Sequence, residues 1–240
     1  MDFALSEEQT AIFDMARDFG AQHIAPFARE WEEAGEIPKS LWPQLAQLGF
    51  GGLYVREESG GSGLSRLDAT LVFEALSMAC PTVASFLSIH NMCAAMIDKF
   101  GSQALRDKYL PRALTMDTFF SYCLTEPGSG SDAFGSMKAT ARRSADGYVL
   151  NGNKTFITNG PYADTIVFIC KLDEGNPPED RKILSFVLDT GMAGLEQSKP
   201  LRKMGMHSSP TGELFLDDVR VGIDRLIGAT EDLPSGGREG

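Results

Sequence analysis

The chain has 240 residues, 42% of them apolar, enough for one large domain or two modest ones around a substantial core. A formal net charge of −11 and a pI near 4.8 argue against nucleic acid or an anionic membrane surface as the main partner, although a local pocket rich in N–H groups can still bind an anion. Cys80, Cys93, Cys123 and Cys170 are far apart in apolar runs and the three histidines are scattered, so buried free thiols are expected, with no metal site and no disulfide framework.

The start, Met1-Asp2-Phe3, has no basic region and no apolar stretch of the secretory kind. No apolar run approaches the roughly 20 residues of a membrane-spanning helix, so no membrane insertion is expected. The compartment expected is the cytoplasm of a bacterium, or the mitochondrial matrix for a eukaryotic protein.

In chain order, Ser6-Glu7-Glu8-Gln9 is a capping-box pattern, and Ile12, Phe13, Ala16 and Phe19 follow at helical spacing. Leu41, Leu45 and Leu48 predict a second short helix with Pro43 in its first turn. The glycine-rich segment Gly49 to Gly63 predicts a loop or extended link. Helices are expected over Leu67 to Ala79 and Val83 to Phe100, separated by Cys80-Pro81, and a shorter one over Gln103 to Leu110, stopping before Pro111. Strand-like runs then begin with Phe119 to Leu124 and continue with Gly147 to Leu150, Lys154 to Thr158, Thr165 to Cys170, Ile183 to Leu188 and Leu214 to Val219. Asp146-Gly147, Asn151-Gly152 and Asn159-Gly160 read as turns between them. Helices first and strands second define an α+β class, an N-terminal all-α domain followed by a barrel- or sandwich-like β domain, and argue against a doubly wound sheet. The boundary is placed near Leu114 to Asp117, giving domains over residues 1–116 and 117–228, with residues 229–240 a disordered tail.

Gly128-Ser129-Gly130-Ser131-Asp132-Ala133 formally matches the dinucleotide fingerprint G-x-G-x-x-A, but the residues after it alternate toward the Asp146-Gly147 turn and offer no helix N-terminus for a pyrophosphate. The segment still presents main-chain N–H groups and hydroxyls with little obstruction, a rim suited to a planar heterocycle or a phosphate. Alone it reads as a plain glycine-serine turn. Thr155-Phe156-Ile157-Thr158-Asn159-Gly160 adds an aromatic, an aliphatic and a hydroxyl at a strand end, the mixture a flavin ring requires, although Phe156 by itself reads as a core residue.

Together, Leu124-Thr125-Glu126-Pro127-Gly128-Ser129-Gly130-Ser131-Asp132 and Phe156-Ile157-Thr158-Asn159-Gly160 closely resemble the two flavin-binding segments of the acyl-CoA dehydrogenases. The Glu57-Glu58-Ser59-Gly60-Gly61-Ser62-Gly63 loop, Lys203-Met204-Gly205 and Leu216-Asp217-Asp218-Val219 fit the same family in order, so the resemblance runs from about Leu5 to Gly228. Within it, Leu64-Ser65-Arg66-Leu67-Asp68 and Ser88-Ile89-His90-Asn91-Met92-Cys93-Ala94 look most like the isobutyryl-CoA dehydrogenase branch.

The resemblance implies FAD as cofactor. Tyr122, Cys123, Leu124, Thr125, Gly130 and Ser131 would form one side of its site, and Phe156, Ile157 and Thr158 the other. Ser131 would also face the acyl-CoA substrate. Many relatives carry Trp where this chain has Phe156, and Pro where it has Gly222. The reaction implied is α,β-dehydrogenation of a short, branched acyl-CoA to the 2-enoyl-CoA, with electrons passed to an electron-transferring flavoprotein, by a homotetramer. The family places its catalytic glutamate in a C-terminal helical domain, and here the match stops at Leu226-Ile227-Gly228. That domain is therefore expected to be absent, through truncation, a frameshift or a gene fragment, and no catalytic residue is assigned. Glu126 and Asp132 match no base position and read as loop carboxylates that cap N–H groups. The alternatives are a non-catalytic flavin- or acyl-CoA-binding remnant and an acyl-CoA oxidase-like flavoprotein.

Overall fold

The computed structural model describes residues 4–228, 230 and 231, which form a helical half followed by a β half. Most of the segment expected to be a disordered tail lies outside the described residues. Helix α1 (Glu7–Phe19) starts at the expected capping box: Ser6 Oγ accepts from Gln9 N, and Gln9 Oε1 from Ser6 N, each at 3.1 Å. It runs into a π-helical turn, Gly20–Ile24, and then a short α2 (Ala28–Ala34) that buries only Trp31. Helix α3 (Trp42–Gln47) holds Pro43 in its first turn, where a missing N–H costs nothing.

The 49–63 segment is a loop with two 3₁₀ turns, laid over α5 (Pro81–Phe100). The buried Asn91 of α5 holds it: Asn91 Oδ1 accepts from Leu53 N at 2.6 Å, and Nδ2 donates to Phe50 O at 2.9 Å. Gly51 comes so close to the last helix of this half that a Cβ there would stand 2.3 Å from Leu114 O. Helix α4 (Arg66–Ala79) opens on a second capping box, Ser65 with Asp68. Helix α6 (Gln103–Leu114) corrects the expectation of a stop before Pro111. Pro111 surrenders one donor, yet its carbonyl still accepts from Thr115 N at 3.4 Å and from Thr115 Oγ1 at 3.3 Å, so the last turn closes around it.

The β half comprises β1 (Phe120–Cys123), β2 (Thr140–Ser144), β3 (Gly147–Thr158), β4 (Thr165–Leu172), β5 (Ile183–Asp189), β6 (Leu195–Gln197) and β7 (Thr211–Val221). The order is β1-β4-β2-β3-β7-β6, with β5 also on β4. Strand β4 is buried throughout. Its pairing with β5 occupies one edge. The other edge is shared: β1 takes Thr165 to Phe168 and β2 takes Lys171 and Leu172, both in parallel.

The Asp146-Gly147 turn closes the β2–β3 hairpin as expected. The Asn151-Gly152 turn does not exist, because β3 passes straight through it. The pair serves a bulge instead: β7 inserts an extra residue between Val219 and Leu216, Asp218 adopts φ +51°, and Asn151 exchanges two hydrogen bonds with Asp218, each at 3.0 Å. Gly152 is required there, since a Cβ would lie 2.6 Å from Ala139 Cβ.

Two of the contacts that join the halves lie around α5. Trp42 stacks on Phe86 with centroids 4.1 Å apart, and Phe119 meets both rings edge-on at 5.8 and 5.1 Å. His90, wholly buried on α5, lies with Nε2 3.0 Å from Ala113 O and accepts from Phe120 N at Nδ1 (3.2 Å), linking α5, α6 and β1. Among the described residues no helix is long and apolar enough to cross a membrane.

Burial holds His90 neutral, pushing its pKa from 6.5 down to about 4. Between those values the unfolded chain binds a proton that the folded protein refuses, so stability falls as pH drops from 6.5 toward 4, by up to about 3 kcal/mol. Urea unfolding at pH 7, 5.5 and 4.5 should show this loss, and His90→Gln should flatten it. An equal slope in the variant would assign the loss to other groups.

Candidate functional site

The shared edge of β4 shapes the site. The chain leaves the sheet after Cys123 and must return to the same edge at Thr140, so residues 124–139 form an excursion. Glu126, Pro127, Gly128 and Ser129 make a tight turn closed by Glu126 N→Ser129 O (3.1 Å) and Ser129 N→Glu126 O (3.0 Å). Turns, and no helix, follow over 131–135, which removes the dinucleotide reading. Asp132 accepts from Ser136 Oγ at 2.5 Å and stays local to that turn.

Glu126 and Lys154 hold the feet of the excursion. Lys154 of β3 is fully buried; its Nζ donates to Leu124 O at 2.8 Å and to Glu126 Oε1 at 2.9 Å. The Glu126 carboxylate, 6% exposed, also accepts from Lys138 N at 2.7 Å and Ala139 N at 2.9 Å. Thr155 N donates to Thr125 O at 2.9 Å, so the two flavin-like segments of the sequence lie side by side.

Beside that contact β3 bulges. From Lys154 to Ile157 it takes three steps while β7 takes two, from Leu214 to Gly212. Phe156 sits in this bulge at φ +56° with 69% of its surface exposed. A bulky residue in that region is strained, and an exposed ring gains no packing in return. Ile157 is buried beneath it, and Thr158, half-buried, has its carbonyl bonded by Ser121 Oγ at 3.0 Å. Asn159, also left-handed at φ +65°, closes the strand by donating to Phe86 O at 3.2 Å and Phe120 O at 3.1 Å. Its buried Oδ1 has no partner among the described residues.

The structure thus brings Leu124 and Thr125 against Thr155 and Phe156, with Gly130 and Ser131 on the exposed part of the excursion. A Cβ added at Gly128 or Gly130 would meet nothing within 4 Å, and neither has positive φ, so nothing inside the chain requires glycine there. Their bareness suits close approach from outside. Tyr122 is half-buried, and burial pushes its phenol up to about 12. The Cys123 thiol is wholly buried and also raised to about 12, mainly by burial, so it stays protonated at neutral pH and carries no thiolate chemistry. Two clefts, of about 600 and 360 Å³, lie elsewhere, one against Trp42, Phe86 and Tyr162 and the other against Arg56 and Arg106. Of the predicted residues, Gly130, Ser131 and Phe156 are exposed, Tyr122, Leu124, Thr125 and Thr158 half-buried, and Cys123 and Ile157 buried. Among the described residues no group of three His, Cys, Asp or Glu could hold a metal.

Lys154 and Asn159 were not singled out by sequence. Lys154 sits between Asn153 and Thr155, so nothing in its neighbourhood along the chain marks it as buried. Glu32 was missed too: from α2 it accepts from His207 N at 2.7 Å and Ser208 N at 3.2 Å, holding the loop of Lys203-Met204-Gly205 against the helical half.

The sequence profile described as "Acyl-CoA dehydrogenase, N-terminal domain" matches residues 6–117, and "Acyl-CoA dehydrogenase, middle domain" matches 121–219. The chain belongs to the acyl-CoA dehydrogenase family, of which it carries these two domains. It is 43% identical over 224 residues to the mitochondrial isobutyryl-CoA dehydrogenase of Bos taurus and 42% identical to that of Dictyostelium discoideum. Each alignment covers 93% of this chain and 53% of the relative, so the chain spans about half the length of these proteins. Among solved structures it is similar to the butyryl-CoA dehydrogenase of Megasphaera elsdenii (TM-score 0.85, 35% identity, 95% of this chain and 60% of that one). It is also similar to PigA with FAD and proline (TM-score 0.87, 31% identity, 95% and 60%).

Strain at Phe156 without packing in return predicts that Phe156→Gly raises stability by about 1 kcal/mol in urea unfolding. A loss of stability would show that the ring is structurally needed.

Proposed function

We propose that this chain forms the cofactor- and thioester-facing part of an FAD-dependent acyl-CoA dehydrogenase that converts a short, branched acyl-CoA to its 2-enoyl-CoA and passes the electrons to an electron-transferring flavoprotein. The observation that carries the reading is Phe156: an exposed aromatic held at φ +56° beside the Leu124–Thr125 strand end. Such a ring offers the apolar wall that a flat heterocycle needs.

The residues fit FAD. The bare Gly128 and Gly130 leave room for close approach, and the exposed excursion supplies N–H groups and the Ser131 hydroxyl. FAD, when bound, supplies the two-electron acceptor for the desaturation. In this reading Tyr122 to Thr125 with Gly130 and Ser131 border the cofactor on one side, Phe156, Ile157 and Thr158 on the other, and Ser131 also faces the thioester. Neither carboxylate of the excursion is assigned as base: Glu126 is committed to Lys154 and two main-chain N–H groups, and Asp132 to Ser136.

Higher identity to isobutyryl-CoA dehydrogenases, 42–43%, than to an isovaleryl-CoA dehydrogenase at 37% or a glutaryl-CoA dehydrogenase at 34% supports a branched four-carbon acyl group. A division into a helical domain, 1–116, and a β domain, 117–228, and homotetrameric assembly belong to the same proposal.

Titration with FAD should quench flavin fluorescence at one flavin per chain. Isobutyryl-CoA should then perturb the flavin spectrum at lower concentration than isovaleryl- or glutaryl-CoA. Failure to take up FAD would sink the cofactor assignment, and a preference for glutaryl-CoA would sink the substrate class. Gly130→Ala should weaken FAD about tenfold while changing stability by less than about 0.5 kcal/mol, since the new methyl meets nothing in the chain.

A further inference from the structure

We propose that Lys154 is a positioning residue: buried with Glu126 as its counter-charge, it orients and polarises the Leu124–Thr125 peptide so that the Thr125 N–H faces the ligand as a strengthened donor. The ligand half of this inference rests on the flavin reading above, whereas the orientation half stands on the fold alone.

The orientation follows from the peptide plane. Leu124 O is drawn inward onto Lys154 Nζ at 2.8 Å. No peptide among the described residues is cis, and in a trans peptide the N–H points opposite to the C=O. The Thr125 N–H therefore faces away from Lys154, and it has no protein partner among the described residues. The next carbonyl, Thr125 O, is taken by Thr155 N at 2.9 Å, and the next N–H, on Glu126, by Ser129 O at 3.1 Å. From Leu124 O to Glu126 N, the Thr125 N–H is thus the main-chain group left without a protein partner among the described residues, next to the contact with Thr155 and the strained Phe156.

Stability alone does not account for the pair. Burying an ammonium and a carboxylate costs several kcal/mol, and an apolar pair of similar volume commonly does as well or better. What an apolar pair cannot do is specify hydrogen-bond directions. Lys154 fixes the outgoing foot of the excursion at Leu124, and Glu126 fixes the returning foot at Lys138 N (2.7 Å) and Ala139 N (2.9 Å). Phe168, its ring centroid 5.3 Å from Nζ, completes the enclosure of the charge. In such a low-dielectric setting a cation bonded to a carbonyl draws electron density through the amide and makes the N–H on its other side a better donor.

Two measurements test this. In the wild-type protein, amide exchange resolved to single residues should show the Thr125 N–H exchanging fast without ligand and slowing at least tenfold with FAD bound. In the double variant Lys154→Met/Glu126→Gln, which removes both charges together, exchange over residues 124–139 should rise at least tenfold while the helical half is unchanged. FAD affinity should fall at least tenfold, and the absorption bands of the flavin that still binds should shift, a readout that a merely structural role would not move. Unchanged loop exchange with unchanged FAD affinity in the double variant would overturn the proposal, as would an unprotected Thr125 amide in a wild-type protein holding FAD. If the double variant fails to fold, the wild-type exchange pattern decides. If the wild-type protein binds no FAD, the flavin reading fails, and loop exchange in the variant still decides the positioning role.

Discussion

Two strands, β1 and β2, occupy one edge of β4 end to end, and the chain between them has no place in the sheet. It must leave opposite Phe168 and come back opposite Lys171, three residues further along the same strand. Everything at the candidate site follows from how that departure is managed. A flexible excursion would present its N–H groups in no fixed direction and would bind a rigid heterocycle at a high entropic cost. Here both feet are tied, to Lys154 and Glu126, and the span between is closed by turns at 126–129 and 132–136. The loop is irregular in backbone yet determinate in direction.

The second wall is built by the opposite device. Where the excursion is bare, β3 is crowded: an extra residue is forced in against β7, and Phe156 is turned out at positive φ. The bulge is held from both sides. Thr155 N bonds to Thr125 O below it, while beyond it Asn159 is anchored to Phe86 O of α5 and Phe120 O of β1. Strain persists only where the surroundings over-determine it. These anchors come from both halves of the molecule, so the rigidity of the wall depends on the helical half staying docked. The His90 bonds and the Trp42–Phe86–Phe119 rings supply that docking.

Features written in local patterns were readable from the sequence. The reciprocal cap at the start of α1, the proline in the first turn of α3 and the hairpin at Asp146-Gly147 depend on residues a few positions apart. The helical-then-β order was legible for the same reason, as were the two segments of the candidate site that the structure lays side by side. Helix α2 was not, because it buries a single residue and its apolar stripe is too narrow to register. Strand β2 hid behind Arg142, Arg143 and Ser144, whose exposure erases the alternation. Asn151-Gly152 misled because its turn chemistry is spent on plugging a bulge in a strand 67 residues away in sequence. Lys154 and Glu126, 28 positions apart, carry no local sign that they will meet.

That last pair separates two kinds of information in the site. The glycines, serines and Phe156 describe what a ligand would touch, and they sit in compact motifs because a ligand contacts a compact surface. Lys154 and Glu126 describe why those residues face outward, and they are dispersed because holding a loop requires reaching it from another strand. A motif therefore names the surface without naming what orients it. The same distinction explains how a charged pair comes to lie in the core of an acidic protein: its value is directional, exercised one peptide bond away on the Thr125 N–H, rather than in the pair's own contribution to stability.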